Sequence, residues 1–445
     1  MTDWLTQGAA ALGRGIAAGR IDPRDLAEAF LAAIEAHPEA GRIYARTTPE
    51  RARAEAAAAA ARAKAGTRRG PLDGVPVSWK DLFDTAGTAT EAGTPLMRGR
   101  VPERDAALLR RATAAGLVCL GKTHMTEIAF SGLGLNPMTA TPPNALIDGA
   151  VPGGSSSGAA ASVAFGLAPV AVGSDTGGSI RVPSVWNGLV GIKPTHGLLP
   201  LEGAVPLCDR FDTAGPLARS LADGAGFLAS VGGPNPDLRG ASLKGARLLV
   251  METVVMEDVE PQVASAFDKA LAALEAAGAV IHRAGFAPLE RAYEMAGPLY
   301  TAEAWAWWRG RIEADPEAMY PPILSRVSAG RDVSAADWIA GWAELGVMRR
   351  DWAAMAAGYD AVICPGAALL PPQAAAVEND AELFRTANLK TLRNTRLANM
   401  MGLPSIALPA GGRACGILLN GAAGQDGQLM RLAAAAEPVL TETLP

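Results

Sequence analysis

Cysteine and histidine are scarce in this chain, with four of each in 445 residues. Cys119, Cys208, Cys364 and Cys415 lie far apart and show neither a C-x-x-C nor a zinc-finger spacing. That excludes a disulfide-framed fold and leaves buried thiols in a reducing compartment as the reading. His37, His124, His196 and His282 are scattered and make no H-E-x-x-H, so no metal site is expected. Concentrated positive charge is missing too. The net charge is −5 and no basic block stands out, which argues against nucleic acid as a partner. No run of about 18 apolar residues is free of charge, glycine or proline, so no membrane span is expected. The opening Met1-Thr2-Asp3-Trp4-Leu5 lacks a basic segment followed by an apolar one, and no signal peptide is read there. A cytoplasmic location follows as the expectation.

What is present is ample apolar residue content, punctuated by glycine and arranged in short blocks. Asp22-Pro23-Arg24-Asp25 reads as a capped helix start, with proline in the first turn and an acid near the positive end of the helix dipole. An alanine-rich helix follows from about Pro49 to Ala65. Short apolar strands then alternate with helices. The strands are read at 74–80, 117–120 and 169–172, then 247–250 and 280–282, and finally 361–365, 404–408 and 415–419. Helices are read over 104–115, 156–165, 263–277, 382–401 and 428–436. This alternation predicts an α/β fold with a mixed central sheet covered by helices. No linker or internal repeat divides the chain, so one domain over residues 1–445 is expected, with a helical segment at 1–66. Aromatic residues make up only 5 % of the chain but cluster between 293 and 352, where Trp305, Trp307, Trp308, Trp338, Trp342 and Trp352 fall. Two readings stand for that cluster: helices packing on the core, or an aromatic wall over a substrate entrance or subunit interface.

Gly116-Leu117-Val118-Cys119-Leu120-Gly121-Lys122-Thr123 fits the P-loop pattern letter for letter. The four middle residues are all apolar and a helix precedes them, so the stretch reads as a strand and turn and not as a phosphate cradle. The chemistry points instead to two glycine turns. Gly153-Gly154-Ser155-Ser156-Ser157-Gly158 is, alone, a plausible helix cap. Gly173-Ser174-Asp175-Thr176-Gly177-Gly178-Ser179-Ile180-Arg181 follows an apolar strand and puts a serine after two glycines. Glycine lets successive N–H groups turn toward one point, which suits an oxyanion beside a nucleophile. No histidine lies nearby in sequence, although His124 or His196 could fold in. A lysine is therefore considered as the base, and Lys80 ends the first strand.

These residues carry a family resemblance. Pro71-Leu72-Asp73-Gly74-Val75-Pro76-Val77 leading to Lys80-Asp81, the two glycine turns, Gly191-Ile192-Lys193-Pro194-Thr195-His196-Gly197 and Asn399-Met400-Met401-Gly402-Leu403-Pro404 together resemble the amidase signature family. The likeness runs from about Asp22 to Ala436, with a signature core over 71–220. It implies an α/β domain, no metal and no organic cofactor. It also implies a catalytic set of Lys80, Ser155 as relay in a cis peptide with Gly154, and Ser179 as nucleophile. The amides of Thr176, Gly177, Gly178 and Ser179 would form the oxyanion hole. Asp175 and Arg181 would support that loop. Ala129, Phe130 and Ser131 would line the substrate pocket, with Met125 and Leu133 nearby. Dimerisation is common among such proteins, so a homodimer is possible.

A lysine accepts a proton only when neutral, and burial without a carboxylate partner favours that form. Lys80 is therefore expected to point inward, with Asp81 unpaired to it. The activity implied is hydrolysis of a small linear amide through an acyl-enzyme. The alternative is a glutamine-hydrolysing component resembling the A subunit of glutamyl-tRNA amidotransferase, working with partner proteins. Glutamine would need charged anchors, for which Arg385, Arg393 and Arg396 are candidates, although these read more simply as helix-surface positions. A catalytically idle scaffold is disfavoured by the intact Lys80, Ser155 and Ser179.

Overall fold

Why the chemistry-bearing residues meet is a matter of strand order. In a computed structural model, which describes residues 4–444, eleven strands form one mixed sheet. Met1-Thr2-Asp3, on which part of the signal-peptide reading rests, lies outside the described residues. The strands are β1 (Tyr44–Thr47), β2 (Pro76–Lys80), β3 (Val118–Thr123), β4 (Val170–Asp175), β5 (Val190–Lys193), β6 (Thr213–Ala218), β7 (Arg247–Met251), β8 (Val280–Ala284), β9 (Ala361–Pro365), β10 (Ser405–Pro409) and β11 (Gly416–Asn420). Their order is β1-β3-β2-β4-β6-β5-β10-β11-β9-β7-β8. β2 runs parallel to both β3 and β4, and β7 runs parallel to β8 and β9, while the middle of the sheet is antiparallel. The expected α/β fold with a mixed sheet is present, with helices on its faces. The strands from Arg247 onward join the same sheet, because β9 lies between β7 and β11.

Every residue of β2, β3, β4 and β6 is buried, polar ones included. Buried backbone must be hydrogen-bonded, and a central position in the sheet satisfies it on both sides. The capped helix occupies Pro23–Ala36, with the Asp22 side chain accepting from the Arg24 N–H at 2.9 Å. The alanine-rich helix spans Pro49–Ala65 and ends on Gly66 in the left-handed conformation. The expected 104–115 helix is shorter, Ala107–Ala114. Asp105 is drawn off by Arg51, to which it is paired at 2.8 Å.

Three strands carry no signal in the sequence. β6, Thr213-Ala214-Gly215-Pro216-Leu217-Ala218, is made of poor strand formers. Its place between β4 and β5 imposes the conformation, and the β5 ladder covers only Leu217 and Ala218, short of the proline that has no N–H to give. β1 and β5 are four residues long, too short for a period to show. β3 extends through Gly121-Lys122-Thr123, so the P-loop-like letters lie inside a strand. Lys122 there is buried and paired with Asp81 at 3.0 Å.

The aromatic-rich segment forms three helices, Pro288–Ala314, Pro321–Ser328 and Ala335–Ala356. Trp305, Trp308 and Trp352 are buried in the core, whereas Trp307 is 49 % exposed. Packing accounts for the buried ones. Among the described residues no helix is long and apolar enough to cross a membrane.

Candidate active site

Parallel neighbours bring their C-terminal ends to the same edge of a sheet, and β2 and β4 do so here. β2 ends on Lys80, which is 0 % exposed. Its Nζ donates to Ser155 Oγ at 2.7 Å and to Ser174 Oγ at 2.8 Å. Asp81, the next residue, faces the other way and binds Lys122 and Arg46. Lys80 thus points inward, and among the described residues no carboxylate is in contact with it. Burial pushes its ammonium down to about 7, against the opposing pull of Asp212 and Asp175. A substantial neutral fraction is therefore present near pH 7.

Ser155 lies just ahead of the helix Ser157–Ala164, and the Gly154-Ser155 peptide is cis. The neighbouring serine has a different task. Ser156 Oγ donates to the Ser174 carbonyl at 3.1 Å and accepts from the Ser174 N–H at 3.3 Å, tying the first glycine turn to β4. The Ser156 N–H donates to the Ser179 carbonyl at 3.2 Å. These bonds bring Ser155 and Ser179 into one neighbourhood. Among the described residues the Ser179 hydroxyl itself makes no hydrogen bond, and it borders a cleft.

The second glycine turn starts later than its letters suggest. Gly173, Ser174 and Asp175 belong to β4 and pair with Gly215, Ala214 and Thr213 of β6. That places Ser174 on the strand, facing Lys80. The letters alone hide this contact, because they read Ser174 as part of the turn. Asp175 then organises the loop. Its Oδ1 accepts from the Gly178 N–H, from Arg181 and from Asn399, each at 2.9 Å. Its Oδ2 accepts from the Ile180 N–H at 3.1 Å and from Arg181 Nε at 3.0 Å. Burial by itself would raise this carboxyl, yet the Arg181 guanidinium and the other donors hold it at about 2.

Arg181 continues to the Thr395 carbonyl at 2.6 Å and Asn399 Oδ1 at 2.6 Å, anchoring the helix Ala381–Met401 behind the loop. The loop carbonyls are also held outward. Tyr300 Oη donates to the Thr176 carbonyl at 2.8 Å, and Thr395 Oγ1 donates to the Gly177 carbonyl at 2.7 Å. Gly178 sits at φ 142°, and a Cβ there would lie 2.1 Å from Thr395 Oγ1.

The Gly178 N–H, expected to face an oxyanion, donates to Asp175 Oδ1 at 2.9 Å. Among the described residues the N–H groups of Thr176, Gly177 and Ser179 have no protein acceptor.

Ala129, Phe130, Ser131, Thr176, Gly177 and Ser179 border one narrow cleft. Ser131 Oγ donates to Asn388 Oδ1 at 3.1 Å, and Ala129 has φ 61°. Met125 and Leu133 are buried behind the wall and do not border it. Neither His124 nor His196 reaches the cleft; His196 lies exposed against the Asp209 carbonyl at 2.7 Å. Leu207, Tyr300, Arg326, Leu392 and Arg396 complete the opposite side. None of the tryptophans borders it; its aromatic residues are Phe130 and Tyr300, the latter stacked on Phe211 with ring centroids 4.3 Å apart. Arg385 is exposed and paired with Glu382, as a surface position, whereas Arg396 faces the cleft from the helix Ala381–Met401. Among the described residues no cluster of His, Cys, Asp and Glu is arranged to hold a metal ion.

A sheet that gathers a buried lysine and three serines beside free loop amides suits a serine hydrolase without histidine. Comparison with known proteins agrees with that class: the Amidase family model matches residues 25–430, and the chain belongs to that family. It is similar to the 2-amino-5-chloromuconic acid deaminase of Comamonas testosteroni, at 32 % identity over 81 % of this chain and 79 % of that protein. It is also similar to the A subunit of the glutamyl-tRNA(Gln) amidotransferase of Symbiobacterium thermophilum, at 30 % identity over 98 % and 99 % of the two chains. A crystal structure of an amidase superposes with a TM-score of 0.88 at 31 % identity, covering 98 % of this chain and 100 % of that one. The protein is thus an amidase-family enzyme, a hydrolase of C–N bonds.

Proposed function

We propose that the protein hydrolyses small linear amides to a carboxylic acid and an amine or ammonia, through Ser179, Ser155 and Lys80. The observation that carries this reading is the buried, carboxylate-free Lys80 ammonium within 2.7 Å of the Ser155 hydroxyl. In the reactive form Lys80 is neutral, and its Nζ accepts the Ser155 proton as Ser155 Oγ accepts that of Ser179. Rotation of the Ser179 hydroxyl, which has no competing partner among the described residues, closes the relay when substrate binds. Ser179 Oγ attacks the amide carbon, and the developing oxyanion is met by the amides of Thr176, Gly177 and Ser179. The proton returns through Ser155 to the leaving nitrogen, the C–N bond breaks, and an acyl-enzyme remains. Water entering the vacated position gives up its proton by the same path and releases the acid. Ser174 keeps Lys80 aligned, and Asp175 with Arg181 keeps the loop rigid.

A second reading is a glutamine-hydrolysing component of a larger assembly, supported by the end-to-end similarity to the amidotransferase chain. Turnover of glutamine only in the presence of partner proteins would establish it in place of the first. The test of the hydrolase reading is Ser179→Ala, assayed on an amide panel and with a fluorophosphonate probe. Loss of turnover by about four orders of magnitude and loss of labelling are expected. Wild-type rates in the variant would remove Ser179 from the mechanism.

A further inference from the structure

Two cations face the Ser179 cleft without an anion. Arg326 extends from the helix Pro321–Ser328 and Arg396 from the helix Ala381–Met401. Both border the cleft that holds Ser179, and both also border the wider vestibule outside it, so they stand at the junction of the two. Among the described residues neither forms an ion pair. The acids of the vestibule are already taken: Glu294 pairs with Arg291 at 3.1 Å and Glu382 with Arg385. The inner cleft is otherwise lined by uncharged residues.

Of the two guanidinium groups, Arg326 is held in place. Arg326 donates to the Phe130 carbonyl at 2.9 Å and lies 4.2 Å over the Phe130 ring. Arg396 lies 5.9 Å from the Tyr293 ring. Burial, then the like charge of Arg396, pushes Arg326 down to about 9, still a cation at neutral pH. Two neighbouring cations in a half-buried site repel each other and lose hydration, an arrangement that a bound anion relieves. The planar fork of arginine matches a carboxylate in shape and hydrogen-bond count.

We propose that the cleft selects amides that carry a carboxylate at the end remote from the scissile bond, held between Arg326 and Arg396. This rests on the hydrolase reading above. The substrate class is the monoamide of a short dicarboxylic acid. The carboxylate lies at the vestibule junction and the amide carbonyl reaches the loop amides beside Ser179. Among the described residues no unpaired acid borders the cleft to receive an ammonium. An amino-acid amide such as glutamine, with adjacent positive and negative charges, is therefore a poorer fit than its deaminated analogue.

The experiment compares succinamate, glutaramate and adipamate with butanamide, pentanamide and hexanamide, and with glutamine. The first arm measures binding to the Ser179→Ala protein by calorimetry. The second measures kcat/KM for wild type, Arg326→Gln, Arg396→Gln and Arg396→Lys. At least one acid amide is expected to bind and react at least about tenfold better than its neutral partner, and better than glutamine. Either glutamine variant should reduce that ratio by about tenfold, mainly through KM, and Arg396→Lys should retain part of it. A ratio near one at every chain length, an equal loss on both substrates, or glutamine as the best ligand overturns the proposal. Should Arg326→Gln fail to fold, Arg396→Gln decides alone. Absence of fluorophosphonate labelling in wild type would defeat the hydrolase reading, while the calorimetric ratio still decides the carboxylate preference.

Discussion

The two walls of the cleft are built on opposite principles. The wall made by the signature loops is buried, and its charges are neutralised. Asp175 accepts five hydrogen bonds, Arg181 spends its donors on Asp175, Thr395 and Asn399, and Asp81 takes Lys122. The facing wall, carried by the helices Pro288–Ala314, Pro321–Ser328 and Ala381–Met401, is half-buried and leaves Arg326 and Arg396 without ion-pair partners among the described residues. The contrast separates two needs. A nucleophile and its oxyanion site must be rigid, because reorganisation at the moment of reaction would forfeit the stabilisation. A recognition wall gains from charges left for the substrate to neutralise.

That contrast can be attacked at several points. The largest effect after loss of Ser179 itself should come from Lys80→Met. It removes the proton acceptor that reaches Ser155, and kcat/KM should fall by roughly three orders of magnitude or more, measured on the best amide. The wild-type pH profile checks the same group. Protonated Lys80 cannot accept a proton, so activity should decline as pH falls through about 7 and level off above it. An acid limb near the ordinary carboxylate range would assign the base elsewhere.

Asp175→Asn is next. It leaves Arg181 buried without its counter-charge, and unfolding free energy should fall by about 3–5 kcal/mol in chemical denaturation, with kcat reduced as the loop loosens. A near-neutral result would show that the signature wall does not depend on charge pairing. The smallest effect is expected for Tyr300→Phe, which removes one of several hydrogen bonds from the helices to the loop, that to the Thr176 carbonyl. A loss of about 0.5–1.5 kcal/mol, read as a roughly three- to tenfold fall in kcat, is the expectation. A much larger fall would mean that the two walls are not separable.

Much of the first wall is legible in the letters alone. Ser155 and Ser179 stand out as candidates because each follows a pair of glycines, and Lys80 because the resemblance places a lysine at the end of the strand read at 74–80. Ser174 is hidden, because where β4 ends depends on its pairing with β6, and β6 has no strand signal of its own. The bond from the Gly178 amide to Asp175 is hidden for a related reason: a glycine-rich loop presents several N–H groups, and only the position of Asp175 decides which one it accepts from. The second wall is scarcely legible. Tyr300, Arg326 and Arg396 come from three helices, and the tryptophans that draw attention there pack elsewhere.

The sequence by itself determined the alternating architecture and the family, since these rest on local pattern. Only the tertiary structure decided which charges are neutralised and which are left open. Ion pairing depends on distance, and the partners here are set by strand order and by helices far apart in the chain. The two glycine turns could be read one at a time. The pair of arginines opposite them exists as a site only once the sheet and its helices have closed around Ser179.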